Sequence, residues 1–208
     1  MEKLFFTVDN EKATQALNFF AIKNKGSINT TCAIKLIFFA DRYHLRKYGR
    51  PVTGDEYYAM GNGPVASLVK DLAESRGRDY EDYKEYNDRY ITHPYEDDYY
   101  YISAAPLDEE AFSESDREAL EFSWRTFGHL KRDQLIKITH AYPEWHKYEK
   151  ILSSQRKRVA MSYLDFFEDP TKNIPHMVHD PFEITKEDKA IALERAKERS
   201  EVNYLWAQ

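Results

Sequence analysis

The sequence predicts a mainly α fold: one compact helical domain with a small β-hairpin, α+β by strict count. Three observations predict it. Apolar residues recur at steps of three and four in several separate segments, the signature of helices that bury one face. Asp, Asn, Ser or Thr precede several of those segments, and Gly follows three of them. One Tyr-rich stretch, by contrast, has two short runs on either side of Pro94-Tyr95-Glu96-Asp97, which reads as a turn between strands.

Taken in order, the first helix is expected over 10–24. Ala13, Ala16, Leu17, Phe20 and Ala21 form its stripe, Asp9 or Asn10 its cap, and Gly26 lies past its end. A second helix is expected over 30–48, with Ala33, Ile34, Ile37, Phe38, Leu45 and Tyr48 on one side and Gly49 as the stop. Leu36 and Phe39 widen its apolar surface, which places this helix at the centre of the core. Gly49-Arg50-Pro51 turns the chain, and 52–58 is expected to be extended. Gly61-Asn62-Gly63-Pro64 reads as a tight turn into a helix over 64–75, with Pro64 in its first turn.

The polar segment 76–98 shows no apolar stripe. A hairpin is expected to pair about 89–92 with 99–103. Ser113-Glu114-Ser115-Asp116 is a capping signature, and a helix over 115–127 carries Ala119, Leu120, Trp124 and Phe127 before Gly128. A short helix follows over 132–141, and Pro143 interrupts it. Pro170 and Pro175 mark a loop. Thr185-Lys186-Glu187-Asp188 starts a last, charged helix to about 204, whose thin stripe is Ala190, Leu193 and Ala196. The domain is therefore placed at 1–168, and 169–208 is an extension whose helix packs on the domain or on a partner. Phe20, Ile37, Phe38, Leu68 and Trp124 are expected in the core.

Composition narrows the function. The 208 residues carry 16 Tyr and 12 Phe, ample for a core, and a formal net charge of −6. Phosphate backbones are held by excess Lys and Arg, so direct nucleic-acid binding is not expected. The basic run Arg156-Lys157-Arg158 reads as a solvated surface. No apolar run is long enough for a membrane span, and the first residues lack the pattern of a signal peptide. The single cysteine, Cys32, sits in an apolar run and reads as a small hydrophobe. These readings place the protein in the cytoplasm.

Catalytic and metal motifs are weak. His176-Met177-Val178-His179-Asp180 offers ligands but no complete tetrahedral set, so no metal or cofactor is expected; a metal-dependent enzyme built on it is the least favoured function. His140 and His146 lack an obvious nucleophile, and His140 reads as a structural residue beside Trp145. Asp41-Arg42 reads as a structural polar pair. Gly61-x-Gly63-Pro64 lacks the Lys and hydroxyl of a phosphate loop. The acidic clusters 96–98 and 108–110 read as solvated loops, or as a field that steers a basic partner.

The span Lys35-Leu36-Ile37-Phe38-Phe39-Ala40-Asp41-Arg42-Tyr43-His44-Leu45, then Gly49-Arg50-Pro51-Val52 and Ala59-Met60-Gly61-Asn62-Gly63-Pro64-Val65, resembles the Panacea domain, the SocA-like antitoxin domain. Leu135-Ile136-Lys137-Ile138-Thr139-His140 with Trp145 following agrees, and the resemblance covers about 17–167. It implies a mainly helical antitoxin that neutralises a co-expressed protein toxin by direct contact. Toxins of the family include tRNA-modifying enzymes and alarmone synthetases. Some relatives present the toxin to a protease, which makes a proteolysis adaptor the alternative function; others add a DNA-binding domain, for which no segment is expected here. The family implies no catalytic residues. Asp41, Gly63, Pro64, His140 and Trp145 are the structural motif. A partner surface is expected at Tyr57, Tyr58, Met60, Tyr86, Tyr90, Tyr95 and Tyr100, within a Tyr-rich, acidic 83–101 segment whose rings offer contact area.

Overall fold

The computed structural model describes residues 3–77, 80–93, 99–154 and 157–206. The architecture is mainly helical with two small antiparallel sheets. Helix α1 spans Asn10–Lys23, and the Asp9 side chain accepts from Lys12 N at its start. Strand β1, Ser27–Asn29, leads directly into α2, Thr30–Tyr48. Asn29 caps α2, and Gly49 ends it with φ 74°, where a Cβ would also fall 2.7 Å from the Ala192 carbonyl. Two constraints, backbone conformation and space, therefore require glycine there.

Helix α2 is the axis of the molecule. Ile37, Phe38, Phe39 and Ala40 are fully buried, as are the charged side chains of Lys35, Asp41, Arg42 and Arg46. Phe39 stacks on Phe127 at 3.9 Å, and Phe38 meets Tyr57 and Phe166 at 5.8 and 5.6 Å. Phe20 and Leu68 join this core, whereas Trp124 is half-buried, with one face against Phe20. Helix α5, Glu114–Phe127, starts from a capping box at Ser113 and packs along α2.

The helix expected over 64–75 begins later than its sequence suggests. Residues Tyr57–Met60 (β2) and Gly63–Ala66 (β3) form a hairpin around Gly61-Asn62, with Ala59 opposite Pro64. Helix α3 starts only at Ser67 and ends at Ala73. Pro64 thus lies in an edge strand, where its missing N–H leaves no gap in the ladder. Tyr57 and Ala59 are buried while Tyr58 and Met60 are half-exposed, the period-two alternation of a strand.

The 76–98 segment contains a helix, α4, Tyr80–Tyr90. Its buried residues are Tyr80 and Asn87, and the Asn87 amide donates to Leu72 O and accepts from Thr14. The expected hairpin exists with a shorter first strand: β4 is Ile91–Thr92, pairing with Ile102 and Ser103 of β5, Tyr100–Ser103. Arg89 and Tyr90 belong to α4 instead. Strand β5 lies between β4 and β1, completing one three-stranded sheet.

Helices α6 (Arg132–Ala141), α7 (Pro143–His146) and α8 (Glu149–Ser154) follow. Strand β6, Arg158–Ala160, adds to β2 and completes the second sheet. A 3-10 turn at Tyr163–Phe167 and the loop to Phe182 then cross α2. Helix α9, Lys186–Trp206, docks on α2 through Ala192 and Ala196, while Ser200 Oγ accepts from Phe5 N at 2.7 Å. Ala190 is exposed, so the contact stripe is one of small side chains at steps of four, set off from the expected Ala190–Leu193–Ala196 line. No helix among the described residues is long and apolar enough to cross a membrane.

Candidate functional site: the hairpin and its two grooves

The expected structural residues converge beneath the β2–β3 hairpin. Asp41, buried in the middle of α2, accepts four hydrogen bonds: from Val52 N and Thr53 N at 2.7 and 3.0 Å, from Thr53 Oγ1 at 2.6 Å and from Tyr57 Oη at 2.8 Å. It fixes the 50–53 turn and the start of the hairpin. Burial raises its carboxyl above the usual range, although all four bonds act to lower it. Tyr57 is therefore a core residue, unavailable to a partner. Asp55 accepts from Val69 N at 2.8 Å. Ala66, at the start of α3, has no capping side chain of its own, and Asp55 supplies that acceptor from the loop before β2. Burial pushes its carboxyl up to about 7.

The hairpin's tip is held by two carbonyls. Lys35 Nζ, from α2, donates to Pro64 O at 2.7 Å; Trp145 Nε1, from α7, donates to Met60 O at 2.9 Å. Gly63 lies between them with φ 101°, and a Cβ there would sit 2.6 Å from Thr139 Oγ1 and 3.0 Å from Lys35 Nζ. Backbone conformation and the Thr139 hydroxyl together require glycine at that position. His140 lies flat on Trp145, ring centroids 3.6 Å apart and 2° from parallel. Burial, then the charge of Lys35, lowers its imidazole to about 4, so the ring is neutral. Its Nε2 is buried and makes no hydrogen bond among the described residues. Burial, then Arg132, lowers the Lys35 amine to about 7.

Two grooves flank the hairpin. The larger, about 990 Å³, opens between the tip (Met60, Gly61, Asn62), the first turns of α2 and Tyr100. The other, about 650 Å³, runs between Tyr58, the N-terminal residues Phe5–Val8, and Tyr83 of α4. Met60, Val65 and Lys70 line both. Tyr58 carries the Arg158 guanidinium over its ring at 3.7 Å. The structure thus brings Tyr58, Met60 and Tyr100 to adjoining grooves. Tyr86 and Tyr90 stand apart on α4, half-buried and 5.0 Å from each other, with Tyr86 Oη accepting from Gln15. Tyr95 lies outside the described residues.

The remaining motif candidates are dispersed. Asp180 accepts from Tyr142 Oη and Phe182 N, and His179 is on the surface of the 169–186 loop. Among the described residues no group of three or more His, Cys, Asp or Glu comes together in a metal-like cluster. Cys32 is half-buried, and burial raises its thiol. His146 faces Glu149 at 3.3 Å on the surface, remote in role from the stacked His140. Within the 108–110 cluster Asp108 is structural: its side chain caps a 3-10 turn, and its backbone N–H donates to Gln15 Oε1.

Sequence reasoning passed over Lys35 as a site residue. The signal was present: it is a lone charge inside the apolar run 32–40. The buried pair Arg42–Glu144, 2.6 Å apart, was invisible because its members lie 102 residues apart. Burial raises the Glu144 carboxyl to about 7 despite Arg42.

The motif residues clamp one hairpin against the helical domain, with only its tip, Gly61-Asn62, fully exposed. The chain matches the model of the antitoxin SocA-like, Panacea domain over residues 34–146, more than half its length, and it belongs to that family. Every residue of the clamp from Lys35 to Trp145 falls inside the matched span. Searches of curated proteins and of solved structures found no significant match.

Proposed function

We propose that this protein is a non-enzymatic antitoxin that neutralises a cognate protein toxin by direct binding in the cytoplasm, with 1–168 as the binding domain and 169–208 as an extension that braces α2. The observation that carries the reading is the pair of grooves meeting at Met60. They lie on either side of a hairpin held by the family's own motif, and they present half-exposed rings and a methionine, the side chains that dominate protein interfaces. Tyr58, Met60 and Tyr100 are the contact residues, and Tyr86 and Tyr90 form a second patch on α4.

The test is co-expression with the toxin encoded beside it, read by growth rescue and by the affinity of the purified pair. A central ring costs roughly 2 kcal/mol when truncated, about thirtyfold in affinity. Tyr58→Ala and Tyr100→Ala are expected to weaken binding by that order, with Met60→Ala close behind, while circular dichroism stays native. Folded variants with unchanged affinity would move the interface elsewhere. Loss of toxin protein, instead of toxin activity alone, would identify delivery to a protease as the mechanism.

A further inference from the structure

The larger groove carries a charge pattern that the whole chain does not. Acidic side chains outnumber basic ones by 36 to 30 over the sequence. Yet the described residues lining this groove include Lys35, Lys70, Arg76 and Arg132 against the single carboxylate of Glu74. Glu74 accepts from Lys70 at 2.7 Å and from Arg76 at 3.2 Å, so those two cations have a partner. Arg132 faces Asp133 at 3.2 Å in a solvent-exposed pair, an arrangement that binds weakly.

Lys35 is the distinctive group. It is buried in the groove wall, and Pro64 O is its one hydrogen-bond acceptor among the described residues. The neighbours that face it are known from each side. Helix α6 presents Arg132, the neutral ring of His140 and the hydroxyl of Thr139. The hairpin presents a backbone carbonyl, and Cys32 lies one turn earlier on α2 itself. None of these is a carboxylate. An ammonium whose one acceptor is a neutral carbonyl, beside an Arg132 whose own carboxylate Asp133 stands in solvent, lacks a direct counter-charge. Ile34, Met60, Val65 and Tyr100 frame the opening with apolar surface, which suits an acid borne on a protein segment.

We infer that the larger groove receives a carboxylate of the bound protein, an Asp or Glu side chain that enters between the hairpin tip and the first turn of α2 to pair with Lys35 and Arg132. This rests on the antitoxin reading and names the chemistry of the partner at that site. A proton follows from it. The free Lys35 amine is lowered to about 7 by burial and by Arg132. A carboxylate beside it favours the charged form and raises it again. Above pH 7 the complex therefore takes up a proton, and affinity falls as pH rises; below pH 7 the amine is already charged and uptake vanishes.

Two measurements on the full chain test this. In the first, lysines carry a ¹³C label at Cε, Lys35 is assigned by the signal lost in Lys35→Met, and its titration is followed with the capped peptide Ac-Tyr-Glu-Tyr-NH2 at millimolar concentration. The Glu peptide should raise the protonation constant of Lys35 at least tenfold, and the Gln peptide should leave it unchanged. No change with either peptide, or the same change with inorganic phosphate at equal concentration, overturns the inference. In the second, calorimetry of the toxin complex in two buffers of different ionisation enthalpy counts protons. At least about 0.4 of a proton is expected at pH 8 and close to none at pH 6, with the uptake absent in Lys35→Met. If that variant does not fold, Arg132→Gln replaces it: it raises the free amine and so cuts the uptake at pH 8. A toxin complex with no uptake at pH 8 removes the carboxylate and leaves the antitoxin reading. A peptide response without any toxin complex does the reverse.

Discussion

The two halves of α2 bury charge in different ways. Toward its C-terminus, Arg42 donates to Glu144, to Phe166 O at 3.0 Å and to Glu168 O at 3.2 Å, under the Tyr142 ring at 4.3 Å. One turn on, Arg46 donates to Phe182 O, Phe166 O, Glu168 O and Asp169. Toward its N-terminus, Lys35 has one acceptor and the ring behind it has an unpartnered nitrogen. The same helix thus uses buried charge twice. Where guanidinium forks meet several carbonyls, the charge is a fastener for the chain that crosses it. Where an ammonium is left short of partners beside a groove, the charge is held ready for something outside. Burial alone does not separate the two; the number of acceptors does.

The sharpest way to break this comparison is at Arg42. Arg42→Ala leaves Glu144 buried and unpaired, and it should cost about 3–5 kcal/mol in urea denaturation. Arg42→Met combined with Glu144→Leu should recover more than half of the loss, because the stranded charge is gone. A single variant as stable as the wild type would remove the arginine from the scaffold.

Next in size is a pH effect at His44, also on the C-terminal half. Its Nδ1 faces Arg50 O at 2.7 Å and its Nε2 faces Ser115 Oγ at 3.0 Å, so the neutral ring donates from Nδ1 and accepts at Nε2. Burial, then Arg50, lowers it to about 4. The unfolded chain takes up a proton below about 6.5 and the folded chain does not, so stability falls as pH drops from 6.5 toward 4, by about 3 kcal/mol. His44→Gln should flatten the profile in that window. The adjoining Asp116 acts lower: Arg50 and Ser113 outweigh its burial and hold it at about 2, so its contribution is lost only as pH falls from 3.8 through 2.

Lys35→Met probes the other half. The wild-type amine is lowered on folding, which costs stability most at and below pH 7 and less as pH rises toward 10.5. The advantage of the Met variant over the wild type should therefore shrink by about 2 kcal/mol between pH 7 and pH 9. A constant difference would mean that the amine titrates normally in the fold. The smallest effect is expected at His140→Ala, which loses the stacked contact with Trp145 for about 1 kcal/mol. Its binding should weaken only by that loss of stability. A fully stable variant that no longer neutralises its toxin would give His140 a direct role.

What was legible in the sequence was mostly local. Asp9, Asn29 and Ser113 each cap the helix that their position announces, and the width of the apolar surface on α2 marked it as central. The β2–β3 hairpin was not legible. Gly-Pro ahead of an apolar stripe reads as a helix start, and the donors that make it a strand, Lys35 and Trp145, come from 29 and 85 residues away in sequence. Helix α4 was missed because its buried face is Tyr80 and Asn87, with no aliphatic stripe to announce it. Tyr57 and Tyr58 differ by one position and face opposite ways. Composition cannot tell them apart, but the strand's alternation can.

The arginine fasteners also set an order of events during synthesis. Arg42 and Arg46 leave the ribosome early, yet the carbonyls they hold belong to Phe166, Glu168 and Phe182. At roughly 5–20 residues per second, the ribosome delivers those partners on the order of ten seconds later. Throughout that interval Arg46 has none of its acceptors and Arg42 can reach only the Glu144 carboxylate, so the C-terminal half of α2 keeps guanidinium donors unpaired. A chain interrupted before residue 166 never acquires the missing acceptors. Completion of the fold is thereby tied to completion of this distant stretch of chain, and a truncated product stays distinguishable from a finished molecule by an unsealed α2.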